Sequence, residues 1–206
     1  MTHTLHRNGN FESLSNDYII FAITAQTVNA KGSARKFKEF EDIVLKYNPI
    51  NYGDMKTGNM FNIDISKIQE GYRDNSIVHA VFCDEDTVAK VLNELKEADL
   101  GISIVVSGIL DRVSECCHEK GIKPHTIEHS LGIHGRVDYL PNDNVLEIST
   151  MCGHGMVSFS LIEYLSEQIL KDRITVEEAA KKLAKQCHCG VFNPARAESI
   201  LRAMTK

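Results

Sequence analysis

Between residues 17 and 107 the apolar residues switch repeatedly between strand-like and helix-like patterns, and that succession limits the fold more than any other feature of the chain. Tyr18 to Thr27 is rich in apolar and β-branched residues and predicts a strand. Ser33 then suits the N-cap of a helix whose apolar face is Phe37, Phe40, Ile43, Val44 and Tyr47, and Pro49 ends it. Asn51 to Asn59 reads as a loop, Met60 to Ile65 alternates like a strand, and Ile77 to Cys83 predicts another. Asp84 or Asp86 caps a second helix with the stripe Val88, Val91, Leu92 and Leu95, ending at Gly101, and Ile102 to Val106 closes the series as a strand.

The order β-α-β-β-α-β is that of a ferredoxin-like split βαβ unit, which predicts an α+β fold for residues 17–107. This arrangement hosts many unrelated activities, so it does not by itself indicate a function. Residues 1–16 are polar and aperiodic and read as a flexible arm. Residues 108–206 form a helix-rich region packed on antiparallel strands, and one continuous domain with the first region is compatible with the length. In it, Gly108 to Lys120 and Met156 to Leu170 read as helices and Val145 to Thr150 as a short strand. Thr175-Val-Glu-Glu178 is a capping box opening a helix to Gln186, and Asn193-Pro194 opens the last one.

The chemistry-bearing residues crowd into this second region. Of the chain's six Cys, Cys116, Cys117, Cys152, Cys187 and Cys189 lie there, with six of its nine His: 118, 125, 129, 134, 154 and 188. Such cysteines in a reducing compartment point to metal binding, catalysis or burial rather than to disulfides. Cys116 and Cys117 read as core. The segment His125-Thr-Ile-Glu128-His129 has the form H-x-x-E-H. On a helix the two histidines would share one face and bind one metal, with Glu128 beside them as general base. Cys187-His188-Cys189-Gly190 is the best source of a third ligand. Alternatively Cys152, Cys187 and Cys189 supply three thiolates to an iron–sulfur cluster. Cys152 sits in a glycine-flanked turn ahead of a helix, whose N-terminus would lower its pKa and suit it to acid/base work. His154 could assist it, and His134 lies off the metal face.

Over residues 121–201 these motifs resemble those of S-ribosylhomocysteine lyase. Gly121 to His129, then Val145 to Cys152, then Gln186-Cys-His-Cys189-Gly190-Val-Phe192 and Ala195 to Leu201 follow the family's order. The resemblance implies His125, His129 and Cys189 as ligands of a divalent ion, iron or zinc, with Glu128 and Cys152 as the acid/base pair. It further implies isomerisation or β-elimination on a small polar substrate such as a thioether sugar, and a homodimer. The H-x-x-E-H string also occurs in inverted zinc peptidases, a metallohydrolase alternative in which Glu198 would be the distant acidic ligand. A non-enzymatic metal- or cluster-binding sensor is the reading from a different class.

The net charge of -5 disfavours a nucleic-acid partner, and the basic stretch Lys31 to Lys38 reads as a solvated helix face. The apolar run Tyr18 to Ile23 is too short to cross a bilayer and no secretory leader is readable ahead of it, so a cytoplasmic protein without a membrane partner is the expectation.

Overall fold

The computed structural model describes residues 4–206. Its centre is a five-stranded antiparallel sheet made of β1 (Tyr18–Ile23), β2 (Asn51–Asp54), β3 (Gly58–Asn59), β4 (Ile77–Phe82) and β5 (Ser103–Ser107), in the order β3-β2-β4-β1-β5. In register, Ile20 of β1 faces Ala80 of β4 on one side and Val106 of β5 on the other. The fold is α+β.

Nearly every residue of β1 is buried, because both faces of the sheet are covered. Side chains of a strand alternate between faces. Tyr18, Ile20 and Ala22 point into a core shared with α2 (Ala34–Leu45), α4 (Glu85–Ala98) and α5 (Leu110–Glu119), where Cys116 and Cys117 also lie. Ile19 and Phe21 point the other way, into a core built with α6 (Asp143–Thr150), α7 (Phe159–Leu170), α8 (Val176–Gln186) and α9 (Pro194–Met204). The helices of the second region therefore cover the second face of the first region's sheet. No helix among the described residues is long and apolar enough to cross a membrane.

The helix signals in the sequence operate as chemistry predicts. Asp84 caps α4 by accepting from the Thr87 N–H at 2.7 Å. Thr175 and Glu178 form both bonds of a capping box on α8, and Asn193 caps α9 with Pro194 in its first turn.

Three expectations need correction. The second strand is not Met60–Ile65: the chain turns there and enters the short helix α3 (Ile65–Glu70), while the strands β2 and β3 lie in the stretch read as a loop. Its polar residues misled because they are buried and satisfied. Asn51 donates to the Phe192 carbonyl, and the Asp54 carboxylate accepts from Thr57 and from the Ile77 N–H. Val145–Thr150 is helix α6, not a strand. Asn142 caps it by accepting from the Val145 N–H, and Val145, Leu146, Ile148 and Ser149 bury one face at helical spacing. Finally, residues 4–16 are bound along their length. They include the short helix α1 (Phe11–Leu14), and Asn8, Ser13 and Asn16 bond to Thr150, Glu147 and Asn193.

Candidate metal centre

Two turns meet beneath the sheet's second face. The first follows α6: Met151 ends the helix, Cys152 bonds back to Ser149, and Gly155 closes a turn onto the Cys152 carbonyl. The second follows α8, where Cys187 is the C-cap residue and Gly190 returns to the Cys187 carbonyl. Gly190 has φ +83°, and a Cβ there would stand 2.6 Å from Asn59 Cβ, so conformation and space both require glycine. Asn59 on β3 holds this turn by donating to the Cys187 and His188 carbonyls at 2.8 and 3.2 Å.

Arg7 ties the two turns together. Its guanidinium donates to the carbonyl of Met151 at 3.1 Å and to that of Val191, and pairs with Asp17. Asp17 is also paired with Arg196, which reaches Glu147 at 3.1 Å. Two buried guanidinium groups thus meet two carboxylates, and removal of one charge would leave its partner uncompensated out of water.

This frame gathers Cys152, Cys187, Cys189 and His154. Cys189 Sγ lies 3.8 Å from Cys187 Sγ and 3.6 Å from His154 Nδ1. Cys152 interacts electrostatically with Cys187. The three thiols are 0–3% exposed, whereas His154 is exposed. The thiols form a relay. The interaction with Cys187, and then burial, push the Cys152 pKa up. Cys187 is favoured as thiolate by Cys152, but its bond to Cys189 and its burial prevail and push it up to about 12. Cys189 receives the Cys187 hydrogen bond and is lowered against the effect of its burial, with the Arg7 charge helping. The direction for Cys152 is thus upward, opposite to the lowering expected of it. The helix after it begins only at Phe159, capped by Ser158, too far along the chain for its N-terminus to act on Cys152.

The H-x-x-E-H segment is also corrected. Residues 125–129 are not helical, and His125, Glu128 and His129 are all exposed. The segment has no apolar stripe to bury, and Gly132 and Gly135 both adopt positive φ just beyond it. His125 Nδ1 meets Thr126 Oγ1 at 2.8 Å, and Ser130 Oγ meets His6 Nδ1 at 3.0 Å. The stacked pair of imidazoles that the metal reading requires is absent.

Among the described residues no group of three or more His, Cys, Asp or Glu stands ready to hold a metal ion, neither His125, His129 and Cys189 nor Cys152, Cys187, Cys189 and His154. Cys152, Cys187, Cys189 and His154 are instead linked pair by pair. All six cysteines are free thiols. His154 is an exposed loop residue, as expected, and it meets Cys189 rather than Cys152; Cys152-x-His154 and Cys187-x-Cys189 share one spacing. Sequence reasoning missed Arg7 and Asn59, which carry no local signal. Comparison with protein-family models, with curated proteins and with solved structures finds no match for this chain.

Proposed function

We propose that this protein binds a soft transition-metal centre, zinc or iron, through Cys152, Cys187 and Cys189, with His154 completing the set. The observation that carries this reading is the meeting of the two turns at Cys189. A tetrahedral ion bound by sulfur at about 2.3 Å and nitrogen at about 2.0–2.1 Å sets its sulfurs about 3.8 Å apart and its sulfur and nitrogen about 3.5–3.6 Å apart. The separations at Cys189 are 3.8 and 3.6 Å.

The donor chemistry fits as well: thiolate and imidazole suit zinc and iron. Bound there, the metal would supply Lewis acidity and a fixed positive charge. The chain's own residues do the rest. Asn59 and Arg7 fix the carbonyls of both turns and so set the directions of the thiols. Gly153 and Gly155 on either side of His154 give its loop the freedom to bring the ring round. Free thiols without disulfides suit a reducing, cytoplasmic setting.

Metal and acid-labile sulfide analysis of anaerobically purified protein tests the reading. One zinc or iron per chain without sulfide, lost in Cys187→Ser and Cys189→Ser, is the result expected of a mononuclear centre. Iron with stoichiometric sulfide, lost in the same variants, would make the centre a cluster. Metal retained in both variants would overturn the assignment.

A further inference from the structure

The two edges of the sheet are managed differently. β3 closes one edge with only two residues, and the Cys187–Gly190 turn is fastened to its Asn59. β5 closes the other with five, Ser103-Ile-Val-Val-Ser107, all half-buried, and β1 is its one strand partner among the described residues. An exposed edge strand offers a row of unpaired N–H and C=O groups, which chains that stay single blunt with a charge, a proline or a bulge. β5 has none of these. Its residues are uncharged, and they pair one for one with β1, from Ser103 opposite Ile23 to Ser107 opposite Ile19. Its apolar side chains are already in place on both faces, Ile104 and Val106 against one core and Val105 against the other.

We infer that β5 pairs antiparallel with the β5 of a second copy of this chain, about a two-fold axis at Val105. The strand is its own complement in that register. Ser103 meets the partner's Ser107, Ile104 meets the partner's Val106, and Val105 meets its own counterpart, so polar faces polar and apolar faces apolar throughout. This symmetry favours a second copy over an unrelated strand, because an isologous interface must match itself. Alternate residues aim their N–H and C=O groups outward, which allows roughly four to six hydrogen bonds across the axis. The five-stranded sheet then continues into a second one of the same size, with α2, α4 and α5 of both copies on one side. The inference is independent of the metal-centre reading.

Sedimentation velocity of the full chain tests the pairing. Wild-type protein should sediment as a dimer at micromolar concentration. Ser103→Lys combined with Ser107→Lys sets lysine opposite lysine at both ends of the pair and should weaken the dimer about tenfold. Ser103→Lys combined with Ser107→Asp sets lysine opposite aspartate in the same register and should restore the dimer to within about threefold of wild type. Both replaced side chains are polar and half-buried at the rim of the sheet, so all three proteins should share one far-ultraviolet circular dichroism spectrum. A monomeric wild type would overturn the inference, as would a dimer indifferent to the paired lysines or one that lysine with aspartate does not restore. Open-ended assembly in place of a dimer would also overturn it, since a two-fold pair is closed.

Discussion

The Cys187–Gly190 turn and the His125–His129 segment both offer metal-binding donor atoms, yet one is packed against the sheet while the other lies in solvent. The cysteine turn follows a capped helix, is pinned by Asn59 and Arg7, and closes at a glycine that no other residue can replace without strain. The histidine segment joins α5 to α6 over a stretch without regular structure apart from a short 3-10 turn at Val137–Tyr139. A donor pattern becomes a site only when tertiary contacts orient it. By that measure the less conspicuous C-x-H and C-x-C pairs outrank the more conspicuous H-x-x-E-H string.

The largest expected effect separates the two regions directly. Cys189→Ser should weaken zinc binding by at least about 100-fold, while His125→Ala with His129→Ala should change it by less than about twofold, as measured by competition with a chromophoric chelator. The reverse pattern would restore the histidine segment as the metal site.

Arg7→Met comes next. Losing a group that orients ligand-bearing turns should cost about 10–100-fold in zinc affinity. It should also cost about 3 kcal/mol of stability in urea, because Asp17 keeps only Arg196 as a charged partner. A stability loss with unchanged zinc affinity would confine Arg7 to the fold.

Gly190→Ala should destabilise by about 2 kcal/mol, since it forces a side chain into positive φ and against Asn59. Gly132→Ala, in open space in the histidine segment, should show the smaller penalty of the backbone alone.

The smallest effect on zinc affinity lies on the sheet's other face and serves as a control. Burial raises the Glu41 carboxyl from 4.5 to about 7 in the folded chain, against the hydrogen bonds it receives from Gln69, Tyr72 and Tyr52. Folding therefore takes up a proton between those values. The stabilising contribution is complete below 4.5 and is lost as the pH rises through 7, a change of about 3 kcal/mol. Glu41→Gln should flatten that slope in urea titrations from pH 4 to 8 and leave zinc affinity unchanged. An unaltered slope would show that Glu41 does not titrate in this range.

Much of the fold was legible because its signals are local. The stripe of α4, the capping box of α8 and the Asn193-Pro194 start of α9 each declare themselves within a few residues. β2 was not legible, since Asn51 and Asp54 look like loop residues until Phe192, Thr57 and Ile77 supply their hydrogen-bond partners. Helix α6 alternates enough to imitate a strand, and only the burial of Val145, Leu146 and Ile148 together decides between them. Of the candidate site, the cysteines were legible by type and the C-x-C spacing by eye. The part played by Arg7 was not, because it sits in a polar stretch and acts on turns 144 and 184 residues away in sequence.

X-ray absorption at the zinc edge tests the central claim most directly. Zinc-loaded protein should show three sulfur neighbours at about 2.3 Å and one nitrogen at about 2.0 Å, with the sulfur shell depleted in Cys189→Ser. A shell of two imidazoles and one sulfur, unchanged in His154→Ala and lost in His125→Ala, would contradict it.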